Sequence, residues 1–109
     1  MTGILLTFTA AISISIASIQ YAQAENLIKK ADIAYGEYLA GECVTCHRSD
    51  AASESIPNIS GIDAETFMYI IYSYRKKELE NKVMQLVAGR LDDEQIASLA
   101  VYFASLPSK

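Results

Sequence analysis

The chain holds two cysteines and one histidine, and all three fall within five residues, Cys43-Val44-Thr45-Cys46-His47. Two thiols three positions apart share one helical turn, and the imidazole stands directly behind the second. This is the C-x-x-C-H spacing through which haem becomes covalently attached. Both sulfurs reach the vinyl groups on one edge of a porphyrin and become thioethers, and His47 is left under the ring to bind iron. A structural zinc site wants four Cys or His ligands, one more than the chain possesses. A redox dithiol of the thioredoxin type belongs in a strand-rich fold, which the pattern here does not offer. The fold is therefore expected to close around one flat prosthetic group, and a single C-x-x-C-H predicts a single haem.

The first 24 residues carry no charged side chain. Residues 4–19 form an apolar core diluted by Thr7, Thr9, Ser13, Ser15 and Ser18, and Ala22-Gln23-Ala24 supplies a small-x-small cleavage pattern. The stretch 1–24 is expected to be a signal peptide and 25–109 the functional domain, exported to the periplasm. The usual positive n-region is lacking, since Met1-Thr2-Gly3 contains no Lys or Arg. Membrane attachment would follow only if the leader were retained, and the stretch is short and hydroxyl-rich against the roughly 20 apolar residues of a spanning helix. Ile12-Ser13-Ile14-Ser15-Ile16 alternates like a strand but lies in this leader, outside the expected fold.

A domain of this size builds only a small core, and a buried haem would act as its staple. The net charge of −4 argues against nucleic-acid binding. Five basic residues (Arg75, Lys76, Lys77, Lys82 and Arg90) nevertheless cluster in 75–90. As a surface patch they would orient the protein toward an acidic partner.

Past the leader the periodicity is helical. Leu27, Ile28, Ala31, Ala34, Tyr35, Tyr38 and Leu39 recur at three- and four-residue steps, predicting one helix that ends near Gly41. Residues 48–60 predict a loop around Pro57. Asp63 reads as the N-cap of a helix with Phe67, Ile70, Ile71 and Tyr74 on its apolar face. Residues 78–90 have weaker periodicity. Asp92 and Gln95 predict a capping box for a last helix whose apolar stripe is Ile96, Leu99, Ala100 and Phe103.

The remaining site residues follow from these placements. A ligating histidine usually donates its second ring nitrogen to a carbonyl, and Pro57, ten residues on, is a candidate for it; the alternative is that Pro57 only shapes the loop. No second histidine exists, so Met84 and Met68 are the candidates for a sixth ligand, with an open or water-filled site as the remaining option. Met68, beside Phe67 in a predicted helix, reads as core filling. Met84, in the less regular segment before the last helix, is preferred. A His47/Met84 pair raises the reduction potential and leaves no vacant iron position, which suits electron transfer.

With Gly36 and Leu39 ahead of Cys43-Val44-Thr45-Cys46-His47, Met84 eight residues before Asp92, and Leu99-Ala100-Val101-Tyr102-Phe103 near the end, the chain resembles the class I c-type cytochromes over roughly 31–109. The resemblance implies a small all-α, mono-haem fold whose N- and C-terminal helices cross around a covalently bound haem c. Ile56-Pro57-Asn58-Ile59-Ser60-Gly61, Tyr74-Arg75, Val83-Met84 and Leu91-Asp92-Asp93-Glu94-Gln95-Ile96 are similar to the haem subunit of flavocytochrome c sulfide dehydrogenases. That narrower likeness implies a non-catalytic subunit that accepts electrons from a FAD-containing, sulfide-oxidising partner and passes them to a downstream redox protein. It also implies that the Pro57 carbonyl holds His47. Arg48 departs from the small residue that commonly follows the histidine. A free periplasmic carrier is the first alternative, and a haem enzyme or gas sensor with an open sixth site is the second.

Overall fold

The computed structural model describes Gly3 and residues 11–108, with side chains from Ser18 onward. Among the described residues the fold is all-α: α1 (Ala11–Lys30), α2 (Ile33–Cys43), α3 (Ala64–Arg75), α4 (Lys82–Gly89) and α5 (Asp93–Ser105). Met1, Thr2 and residues 4–10 of the expected leader lie outside the described residues.

The single helix expected from Leu27 to Leu39 is two helices. Asp32 takes an extended conformation between them, and its Oδ1 accepts from the Ala34 and Tyr35 amides at 2.9 and 3.1 Å. Its own amide donates to Ser98 Oγ on α5 at 3.2 Å. The apolar spacing runs unbroken across this kink because Leu27 and Ile28 of α1 and Leu39 of α2 all pack on one core. α2 also runs two residues past Gly41, so the first cysteine of the motif closes its last turn.

α5 is the helix on which α1, α2 and α3 all pack. Ile96, Ala97, Ser98, Leu99, Ala100 and Phe103 are all buried, and the expected capping box between Asp92 and Gln95 is formed at its start. α2 crosses α5 at Gly36, where a Cβ would overlap the Ser98 carbonyl and stand 2.9 Å from Tyr102 Cβ. Only glycine allows that approach. α3 begins at the expected Asp63 cap, whose carboxylate accepts from the Thr66 amide and hydroxyl at 3.0 Å each. Of its expected apolar face, Phe67 and Ile71 are buried, Tyr74 packs half-buried against the core and Ile70 is half-buried, while Met68 and Ser73 complete the buried side. Phe67 stacks on Phe103 with centroids 5.6 Å apart, joining α3 to α5.

Residues 82–89, read above as less regular, form the short helix α4. The missed signal is Asn81, whose side chain caps it by accepting from the Met84 amide at 3.0 Å. The expected loop over 48–60 is observed. The alternating Ile12–Ile16 stretch is helical in its backbone, and α1 runs straight through Ala24. No described helix is long and apolar enough to cross a membrane.

Gly36→Ala should lower unfolding free energy by about 1–3 kcal/mol, because backbone must move to admit the methyl group. Gly41→Ala, in the same helix with open space at its Cβ, should be neutral or gain up to about 1 kcal/mol from helix propensity. Denaturant titration of the two variants measures both effects.

Candidate functional site

The last turn of α2 assembles the motif. The amides of Cys46 and His47 both donate to the Cys43 carbonyl, at 3.2 and 2.8 Å, and Thr45 Oγ1 donates to the Gly41 carbonyl at 3.1 Å. Two free thiols and an imidazole are thereby held on one turn, Cys43 half-buried and Cys46 exposed. Burial pushes the Cys43 thiol above its usual range, and the charge of Glu42 adds to the effect. A protonated, shielded thiol is the opposite of the activated thiolate a redox or nucleophilic cysteine requires.

His47 is oriented from the loop. Its Nδ1 lies 2.8 Å from the Pro57 carbonyl, which only accepts, so Nδ1 carries the hydrogen. In the neutral ring Nε2 then keeps a free lone pair, the form a metal ligand needs. The carbonyl is itself anchored. Upstream, the Ser53 amide donates to the Ile56 carbonyl at 2.9 Å; downstream, the Gly61 amide donates to the Phe103 carbonyl of α5 at 2.8 Å. Gly61 sits at φ +78° with Ser108 where a Cβ would be, so this anchor also requires glycine.

A cavity of about 470 Å³ opens beside the motif, between α2 and the α4–α5 segment. Leu39, Cys43, Val87, Leu91 and Leu99 give it apolar walls, and Glu42 and Arg90 also line it. His47 and Met84 do not border this cavity. Met84 is half-buried on α4 and packs against the core, one helical turn before Val87, so the two share a face. Met68 is almost fully buried at 1 % exposure and belongs to the core. The structure thus joins Cys43, Cys46, His47 and Pro57 directly and places Met84 on a separate, short helix. No cluster of three or more His, Cys, Asp or Glu able to hold a metal ion is present among the described residues.

The basic run is not a uniform patch. Arg75 is bound within the fold, pairing with Asp93 at 2.8 Å, and Arg90 faces Glu42 at 3.9 Å. Lys76, Lys77 and Lys82 are exposed. Val87, Leu91 and the Arg75 contacts were not singled out from sequence as parts of the site; the Asn81 cap, which implies a helix bearing Met84 and Val87 on one side, was the available signal.

This donor set suits haem: two cysteines at thioether spacing, an imidazole whose Nε2 lone pair is left free to bind a metal, and an apolar hollow in the size range of cofactor pockets. No protein-family profile matches the sequence. Cytochrome c-554(548) of Halomonas halodenitrificans is 35 % identical over 79 residues, which cover 68 % of this chain and 95 % of that protein. The chain belongs to the c-type cytochromes. The thiosulfate dehydrogenase electron acceptor of Stutzerimonas stutzeri is 32 % identical over 69 residues, 61 % of this chain, and the match spans only 32 % of that longer protein. As a c-type cytochrome it is an electron-transfer protein whose cofactor is haem c.

In the haem-free protein, Cys46 should react with a disulfide reagent several-fold faster than Cys43, each thiol measured alone in the Cys43→Ser and Cys46→Ser variants. The Cys43 rate should go on climbing to higher pH than that of an ordinary thiol, because burial delays its thiolate.

Proposed function

We propose that this cytochrome carries one haem, attached through Cys43 and Cys46 and ligated by His47 and Met84, and that it relays single electrons in the periplasm after the leader is removed. The observation that carries this reading is the 2.8 Å contact of His47 Nδ1 with the Pro57 carbonyl, which readies the opposite nitrogen for iron. When bound, haem supplies a one-electron couple whose potential depends on its axial ligands and surroundings. The protein's part is to hold, orient and shield. Cys43 and Cys46 anchor one edge, the Pro57 carbonyl sets the plane of the His47 ring, and Leu39, Leu91 and Leu99 exclude water from the hollow. Met84 shares a helix face with Val87 at the cavity wall, which supports it as the second axial ligand. Export is supported by the exposure of residues 18–23 along α1, whereas Leu27 and Ile28, beyond the expected cleavage after Ala24, pack on the core.

The electron donor is proposed to be a dehydrogenase of reduced sulfur compounds. The relative from Stutzerimonas stutzeri is named as the electron acceptor of a thiosulfate dehydrogenase, and the segments around Pro57 and Met84 resemble the haem subunit of a FAD-containing sulfide dehydrogenase. A free carrier is the second reading: the match spans 95 % of cytochrome c-554(548), a relative of single-domain size. Affinity purification from the periplasm separates them: bound FAD in a stable complex supports the subunit, and a lone haem protein supports the carrier.

Intact-mass analysis of the exported protein should show residues 25–109 plus one haem, and a second haem or none would refute the attachment scheme. Oxidised wild type should display the near-infrared sulfur-to-iron charge-transfer band. Met84→Ala should lose that band and fall in reduction potential, whereas Met68→Leu, a volume-conserving core change, should keep both.

A further inference from the structure

α4 is eight residues long, too short to be stable by itself, and among the described helices it packs on α3 alone. Its position therefore depends on how its two connections are held. The entry is tied by backbone and amide groups: the Glu78 amide donates to the Ser73 carbonyl at 2.8 Å, Gln85 Nε2 donates to the Leu79 carbonyl at 2.9 Å, and Asn81 caps the first turn. The exit is held differently. Leu91, directly after the α4 C-cap, offers its carbonyl to Arg75 Nη1 at 3.2 Å, and Arg75 Nη2 donates at 2.8 Å to Asp93 Oδ1 in the first turn of α5. The guanidinium also lies over the Tyr72 ring, 4.7 Å from its centroid. One side chain from the last turn of α3 thus grips the joint between α4 and α5, and Leu91 is in turn a wall of the cavity.

We propose that Arg75 is the positioning residue for Met84, clamping the exit of α4 so that the methionine stays committed to the iron. This rests on the reading of Met84 as the sixth ligand. The task needs a planar fork that reaches a carbonyl and a carboxylate together while stacking on an aromatic face, which arginine provides and lysine does not. Its side chain keeps 32 % of its exposure, so water weakens the clamp without abolishing it.

Added imidazole competes with Met84 for the sixth position, so its apparent affinity for the oxidised holoprotein reports how readily Met84 leaves. Arg75→Ala should raise that affinity about tenfold, the worth of one partly exposed charge-assisted hydrogen bond. Arg75→Lys should be intermediate, and Asp93→Asn should shift the affinity in the same direction. Asp32→Ala, which removes the cap at the end of α2 remote from the cysteines, should lower the melting temperature and leave imidazole affinity unchanged. The proposal is overturned if Arg75→Ala and Asp93→Asn bind imidazole as wild type does, or if Asp32→Ala shifts the affinity as far for an equal loss of melting temperature. If Met84→Ala and wild type bind imidazole equally, Met84 is not the ligand and both readings fall. A difference between those two with Arg75→Ala unchanged overturns the clamp alone.

Discussion

The close approach of α2 and α5 at Gly36 is the constraint on which the rest of the structure depends. A side chain there would strike the Ser98 carbonyl, and separating the helices would move everything α2 delivers at its far end. Leu39 and Leu99 face one cavity only because the two backbones are this close. Cys43 is half-buried for the same reason. Ser98 also receives the Asp32 amide, so the crossing sets where α2 begins as well as how it packs.

The site is assembled from parts of unequal rigidity. The proximal part is continuous with the core: the cysteines and His47 stand at the end of a helix that packs on α5 through its buried Gly36 and Ala40, and the Pro57 carbonyl is fixed through the Gly61 amide to the end of α5. Met84 stands on a short helix with one helical neighbour, held by caps and side-chain contacts. Under the proposed ligation by His47 and Met84, the methionine would ride on the less supported element. Charge has been put to structural use in the same region. Arg75 spends its guanidinium on Leu91, Asp93 and Tyr72, while the Arg90 and Glu42 pair, 68 % and 80 % exposed, adds little to stability.

Much of this was legible in the residues. The C-x-x-C-H spacing, the Asp63 cap, the Asp92–Gln95 capping box and the stripe through Ile96, Leu99, Ala100 and Phe103 act within one or two helical turns, and each appears where it was expected. The Pro57 carbonyl also meets His47, since a ten-residue loop limits the choice of acceptor. The kink at Asp32 was hidden because both helices turn the same apolar period toward α5. The helix around Met84 was hidden because eight residues give too few repeats to show a period, although Asn81 marked its start.

The sequence by itself determined the cofactor chemistry and the helical class, because thioether spacing, capping and apolar periodicity are properties of neighbouring residues. Only the tertiary structure decided where α2 starts, how deeply Cys43 is buried and what supports the helix of Met84. Those outcomes depend on partners far along the chain, Asp32 with Ser98 across 66 residues and Arg75 with Asp93 across 18. No local pattern encodes such pairs, since the groups meet only after the core has closed.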